Sequence, residues 1–551
     1  MNRLILASLI ACAASFAQQR PPVADPSSFG SLKVTQGVYV LEGRIVTGVP
    51  YAVDVFANVW YPEDMSGGPY PLILFLHGNS AICRRTEPTL LLAASPNPPF
   101  CQPGFEPIPN NAGYDYIGAR LASWGYIVAS INANSVNTRA NGIPERGWLV
   151  MEHLKFWRMW NTARGAYPFG TQFSGKVDLD HVGLMGHSRG GEGVRAAYDI
   201  NRRVGRPFNI RAVLEIGPVD FGRVAQISTT PSPLYDVNDV AFSVLLPGCD
   251  ADVFDNQGMR AYDRSRLLRE SRNPAPKSQI HIVGANHNFT NTEWLPEDPG
   301  FRCIDMPIIT QRAEQQDSFL MYTMGFFRHY IGGEDFRDLF TGDRPLPIQS
   351  RYPVHVAYTE SPDQILNVEN FTADSKEGLT NSTGGANTWS GVDVAVCAGV
   401  TCQTPPPNDW LHDAELTVGR IVWPGKEAAG TATPVFTLRT GKDDGNVDAS
   451  AYRLLSLRAA AKFDERNPID GTAFSVRLTD AAGKSSIVAT SKYTNIPYPV
   501  GYVYRRAILK SVRIPLADFV GVNLAAINKI EFVFDQKLTG HIYVSDVQFS
   551  K

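Results

Sequence analysis

The chain has 551 residues, too many for one ordinary hydrophobic core and enough for roughly two to four domains. Its 51 basic and 54 acidic residues leave a formal charge of −3 and are spread without long blocks, which excludes the electrostatic footprint of a nucleic-acid or anionic-membrane binder. A small or neutral substrate suits such a surface.

Met1-Asn2-Arg3, the apolar stretch Leu4–Ala14 and the small-x-small step Ser15-Phe16-Ala17 predict a secretory signal over residues 1–17, hence a secreted or periplasmic protein. Leu9-Ile10-Ala11-Cys12 also fits a lipoprotein signal, although the segment before that cysteine is short. No other apolar stretch is long enough for a transmembrane segment. Once Cys12 is removed, Cys83, Cys101, Cys249, Cys303, Cys397 and Cys402 remain, and an even number in an exported chain predicts disulfides. Proximity pairs Cys83 with Cys101, Cys249 with Cys303 and Cys397 with Cys402. No C-x-x-C pair or clustered Cys/His spacing appears, so neither a metal nor another cofactor is expected.

From about Gly37 to Phe336, within an expected catalytic domain over 18–340, strand-like and helix-like runs alternate. Val53–Tyr61 and Pro71–Leu76 read as strands, Tyr114–Trp124 as a helix, Tyr126–Asn132 as a strand and Trp148–Ala163 as an amphipathic helix. Three more apolar strands follow at Ile210–Ile216, Ala241–Leu246 and Gln279–Val283, and Arg312–Tyr330 closes with a long helix. Such alternation predicts an α/β fold, a mostly parallel sheet with helices on both faces. The polar, Pro-containing stretch around Arg344-Pro345-Leu346-Pro347 marks a linker over 341–360. Beyond it, over 361–551, short alternating runs such as Leu454–Phe463, Ala473–Leu478, Ile508–Ile514, Ile530–Phe534 and His541–Phe549 predict an all-β sandwich.

Between a strand-like run, Val182–Met185, and a helical run through Val194, Ala197 and Tyr198 lies Gly186-His187-Ser188-Arg189-Gly190. A G-x-S-x-G segment in that setting lets the backbone take a sharp elbow that lifts the serine hydroxyl above the sheet and aims a helix N-terminus at developing negative charge. A serine hydroxyl needs an imidazole to take its proton and a carboxylate to orient that imidazole. His287, in Gly284-Ala285-Asn286-His287-Asn288-Phe289 after the last strand, is the candidate base. The candidate acid is Asp252, in Leu246-Pro247-Gly248-Cys249-Asp250-Ala251-Asp252, with Asp250 and then Asp220 as alternatives. A calcium loop through Asp250, Asp252 and Asp255 is disfavoured by Phe254 and Ala261 at positions that should carry ligands. Backbone amides of Arg189 and Asn79, the latter in His77-Gly78-Asn79 after a strand, are the expected oxyanion donors, with His77 and His187 in supporting roles.

On Gly186-His187-Ser188-Arg189-Gly190-Gly191, His77-Gly78-Asn79 and Cys249-Asp250-Ala251-Asp252, residues 40 to 335 resemble secreted bacterial α/β-hydrolase serine esterases of the cutinase and polyester-hydrolase type. In that group a cysteine three residues before the catalytic aspartate pairs with one after the catalytic histidine. By that resemblance Cys249 would join Cys303, which favours Asp252. The chain departs from the group at Arg189, where a methionine is usual, and at Asn79, where an aromatic residue is frequent. The last part, through Ile514–Phe519, Ile530–Asp535 and Gly540–Val544, resembles a galactose-binding-like jelly roll, which implies either carbohydrate binding or a sandwich that only packs against the catalytic part. The function expected is hydrolysis of a small or polymeric carboxylic ester through an acyl-enzyme. The alternatives are an amidase or peptidase with the same triad, and a non-catalytic carbohydrate-binding protein.

Overall fold

A computed structural model of the chain describes residues 22–86, 101–137, 142–162, 166–221, 234–267, 275–295, 308–344, 346–347, 352–371, 380–398, 417–424, 432–442, 445–499 and 506–551. The expected signal segment 1–17 and the expected disulfide partners Cys303 and Cys402 lie outside the described residues.

The first part of the chain contributes β1 (Val34–Ile45), β2 (Ala52–Pro62), β3 (Tyr70–Leu76), the short pair β4 (Cys83–Arg85) and β5 (Phe105–Pro107), α1 (Asp115–Ser123), β6 (Ile127–Ile131), α2 (Asn134–Asn137) and α3 (Ile143–Thr162). It continues through β7 (Val177–His187), α4 (Arg189–Arg203), β8 (Ile210–Ile216), β9 (Ala241–Pro247), α5 (Gly258–Leu267), β10 (Lys277–Ile282), α6 (Arg312–Tyr330), α7 (Asp338–Thr341) and β11 (Val354–Thr359). Nine of these strands make one sheet in the order β1-β2-β6-β3-β7-β8-β9-β10-β11. The central strand β3 shows why they do. Leu72–Leu76 is an unbroken apolar run because both faces are covered. Leu72, Leu74 and Leu76 join Leu154, Trp157 and Val194 of α3 and α4 on one face, while Ile73 and Phe75 join Ile117, Leu121 and Phe327 of α1 and α6 on the other. Each such side chain withdrawn from water contributes about 1.5–3 kcal/mol.

The expectation of a mostly parallel, helix-rich α/β-hydrolase fold is overturned. Strand residues make up 36% of the structure and helix only 24%, and the large sheet is mixed. Neighbours from β6 through β10 run parallel, but β1 with β2, β2 with β6, and β10 with β11 are antiparallel. The physical reason lies at the edges. A strand joined to its neighbour by a tight turn, as β1 is to β2, returns antiparallel without a crossover helix. The stretch 341–360, expected as a linker, contains β11, whose residues pair in register with β10 from Lys277↔Thr359 to Ile282↔Val354.

The second part contributes β12 (Ile365–Glu369), β13 (Asn387–Ser390), β14 (Asp393–Ala398), β15 (Thr417–Trp423), β16 (Val435–Arg439), β17 (Leu454–Ala461), β18 (Ser475–Asp480), β19 (Ser485–Ala489), β20 (Lys510–Pro515), β21 (Ile527–Val533) and β22 (Gly540–Ser550). They form two antiparallel sheets, β14-β15-β22-β17-β20 with β12 added to β22, and β13-β16-β21-β18-β19. Ile421, Leu455 and Val544 of the first meet Phe436, Val476 and Phe532 of the second in one apolar cluster. Strand β17 is buried on both faces: Leu455, Leu457 and Ala459 face that cluster, whereas the alternate residues Ser456 and Arg458 are buried on the side of the first unit.

Cys83 and Cys101 are joined by a disulfide that closes a loop with a sequence separation of 18. Cys249 and Cys397 are also disulfide-bonded. Among the described residues no helix is long and apolar enough to cross a membrane.

Candidate functional site

Ser188 stands where β7 gives way to α4, with φ 58° and ψ −127°, a backbone conformation that a residue carrying a Cβ rarely adopts. The turn is held from three sides: Ser188 N–H donates to Ile216 O (2.9 Å), and Ser188 O accepts from Gly191 N–H (2.9 Å) and Val219 N–H (3.4 Å). Close approach dictates the flanking glycine, since a Cβ on Gly190 would lie 2.2 Å from Leu76 O. Gly78, just past β3, is equally constrained: a Cβ there would lie 2.4 Å from Ser188 Cβ and 2.9 Å from its Oγ. The sequence step His77-Gly78-Asn79 is therefore directly against the serine. Asn79 is half-buried and its Oδ1 finds no partner among the described residues.

His287 follows β10 and is almost wholly buried. Its Nδ1 lies 2.7 Å from Asp250 Oδ2, and its Nε2 lies 3.6 Å from Asp252 Oδ2. The carboxylate on the orienting nitrogen is thus Asp250, not the expected Asp252. Asp250 is 2% exposed, and its Oδ1 accepts from the backbone N–H of Asp252 (3.0 Å) and Val253 (2.6 Å). One oxygen is fixed by the turn that follows, which leaves the other for the imidazole. Nδ1–H donates to Asp250, so the acceptor lone pair falls on Nε2. The Asp252 side chain is 59% exposed and stands on the Nε2 side. Asp220, the remaining alternative, is withdrawn into a buried ionic cluster with Arg195 (3.0 Å) and Arg264 (2.8 Å), whose charges hold its carboxyl well below the usual range against the cost of burial.

The elbow and the histidine loop meet at Gly217. It follows Ile216, to which Ser188 is bonded, and a Cβ on it would lie 3.1 Å from Asp250 Oδ2 and 3.2 Å from His287 Nδ1. Rings of the two segments also pack against each other. His187, next to Ser188, is centred 4.9 Å from the His287 ring, and Trp294 stacks on His187 (4.5 Å) and His287 (5.9 Å). Trp294 was not legible in the sequence, because a single tryptophan in an irregular loop carries no periodic signal. It walls the imidazole from water.

The neighbouring histidines are braces. His77 Nε2 accepts from Ala133 N–H and its Nδ1 donates to Gly78 O, both at 2.8 Å, so it fixes the loop beside Ser188. His187 Nδ1 pairs with Tyr114 Oη at 3.0 Å. Burial pulls His77, His153 and His281 down to about 3, and pulls His187 well below its ordinary value. The unfolded chain takes up these protons near pH 6.5 while the native chain does not, so stability falls as pH falls through that window. The loss is about 1.4 kcal/mol per pH unit for each such group. The urea midpoint should therefore drop between about pH 7 and about pH 5. A flat midpoint would contradict neutral burial.

Arg189 opens α4. Its guanidinium lies 5.5 Å from the centre of the Phe221 ring, where burial pulls it down against the fields of Asp252 and Glu192, while its backbone N–H stays at the helix N-terminus. There the partial positive charge of a helix end favours an oxyanion. No protein-family model matches the chain, and no curated protein matches it.

Proposed function

We propose that the chain is an exported serine hydrolase that cleaves carboxylic esters through an acyl-enzyme, with Ser188 as nucleophile, His287 as base and Asp250 as the orienting acid. The observation that carries this reading is the Asp250–His287 pair at 2.7 Å, packed through Gly217 and His187 against a serine held at positive φ. Export is supported by the Cys83–Cys101 disulfide, a bond that persists in oxidising compartments.

In this scheme Ser188 Oγ attacks the ester carbonyl carbon as its proton passes to His287 Nε2. The C=O bond opens to an oxyanion, which the backbone N–H groups of Arg189 and Asn79 receive. The imidazolium, stabilised by Asp250, then protonates the departing alkoxide as the C–O bond breaks. Water repeats the sequence on the acyl-enzyme, giving the carboxylic acid and restoring Ser188. The route uses only these side chains and water.

Incubation with a fluorophosphonate should place a single adduct on Ser188 by peptide mass mapping, and the chain should hydrolyse an activated short-chain ester. Absence of both, in a folded protein, would sink the reading. Assaying the matching amide alongside reports which acyl bond is preferred.

A further inference from the structure

The second unit reaches into the first. Ile508, just before β20, is buried in the same apolar cluster as Leu246, Ala261 and Tyr262. Tyr358 N–H donates to Ser511 Oγ (2.9 Å) and Arg513 Nε donates to Asp343 Oδ1 (2.8 Å). Arg458 NH1 donates to Asp263 Oδ1 on α5 (2.6 Å), with both side chains 2% exposed. Among these contacts one ends at the candidate site. Arg506, 8% exposed, donates from NH1 to Gly248 O at 3.1 Å, two residues before Asp250. With the Asn256 amide turned so that its N donates to Pro247 O (3.2 Å), its O accepts from the same NH1 at 3.1 Å.

A guanidinium taken out of water is costly unless its donors and charge are answered. Here the turn that carries the acid answers NH1, while Nε finds no hydrogen-bond partner among the described residues. Burial pulls Arg506 down to about 10, and the fields of Asp250 and Asp255 oppose that fall. From the opposite side the same turn is pinned to the exit of β10: Gly248 N–H donates to Ile282 O (2.8 Å) and Cys249 N–H to Ala285 O (2.7 Å). Gly248 has no room to shift toward β10, because a Cβ on it would meet Ile282 O at 2.8 Å and His281 Cε1 at 3.0 Å. Arg506 is the clamp on the other side.

We propose that Arg506 is a positioning residue supplied by the second unit, which fixes the Pro247–Asp250 turn so that Asp250 keeps its bond to His287 Nδ1. The second unit then belongs to the catalytic apparatus instead of being an appended binding module. This rests on the triad reading above. A displacement of about 1 Å in such a constellation costs up to about a hundredfold in rate.

The test uses the full chain and an activated ester. Arg506→Met should lower kcat by about ten- to a hundredfold with KM little changed, and Arg506→Lys, which keeps the charge without the fork, should recover part of the loss. Arg458→Met removes another buried interface cation, one that does not touch the acid turn, and should leave kcat within about threefold of native. In an Asp250→Asn background, Arg506→Met should add little, since both act through one bond. Native kcat in folded Arg506→Met would overturn the proposal. So would an equal loss from Arg458→Met, or full additivity with Asp250→Asn. The underlying reading fails separately, through retained activity in Ser188→Ala.

Discussion

Replacing Ser188 by alanine is expected to lower kcat for an activated ester by on the order of 10⁵ to 10⁶ with KM little changed, and His287→Ala should cost about as much. The reason is that neither side chain does its work alone. An alcohol at neutral pH is a poor nucleophile until an imidazole takes its proton, and an imidazole beside an alanine has nothing to activate. The double variant should therefore be no slower than either single one, and residual turnover should come from the Arg189 and Asn79 amides alone. A second signature tests the strained backbone of the elbow. Ser188 is held at φ 58°, where a Cβ is strained by about 1–3 kcal/mol. Ser188→Gly should relieve that strain, so the variant should melt at a higher temperature than Ser188→Ala while remaining equally inactive. Steady-state rates and thermal melts of the variants check both statements. A Ser188→Ala enzyme within tenfold of native would contradict them.

Much of the scaffold around the elbow was legible because it obeys local rules. Ile210–Ile216 and Arg312–Tyr330 have the limits read from apolar runs and helical spacing, and the strand before Ser188 and the helix after it are where the pattern puts them. What failed depends on partners far away in sequence. β1 exposes Val38, Val40 and Ile45, so its alternation is blurred, and β11 hides behind a Pro-containing stretch that reads as a linker. Both lie at the ends of the nine-stranded order, and both pair antiparallel, which is why the parallel prediction was wrong there. α5 was missed for a different reason. Beside Met259, Ala261 and Tyr262 it also buries Asp263, Arg264 and Ser265, admitted by ion pairs and hydrogen bonds to Arg458, Asp220 and Val237, and so its apolar stripe is interrupted. Within the candidate site, a serine and a histidine candidate were readable from order along the chain. The acid was not, because Asp250 and Asp252 leave the same strand and differ only in the direction of a side chain inside an irregular turn. Arg506 could not have been found at all from local pattern, since its partner Gly248 is 258 residues earlier.

Asp250→Asn is expected to lower kcat by about 10⁴, and Asp252→Asn by less than about tenfold. The asymmetry follows from what each carboxylate holds. Asp250 Oδ1 takes the N–H groups of Asp252 and Val253, at 3.0 and 2.6 Å, so an asparagine there must present its carbonyl oxygen to those donors. Its amide NH₂ then faces His287 Nδ1, which at 2.7 Å can only be an acceptor. The ring proton is driven onto Nε2, and an Nε2–H cannot take the proton of Ser188. The variant keeps its shape and loses its base. Asp252 has no such hold: its side chain is 59% exposed and stands 3.6 Å from Nε2, on the side where the reacting groups meet. Removing its charge should therefore act on what binds there. Asp252→Asn should change the preference between anionic and neutral esters in KM, together with the neighbouring Arg189, more than it changes kcat. Rates for both variants on a neutral and a carboxylate-bearing ester decide the matter. If Asp252→Asn lost the larger factor, the bond at Nδ1 would have to be remade with Asp252 before catalysis, and Asp250 would be left as the support of its own turn.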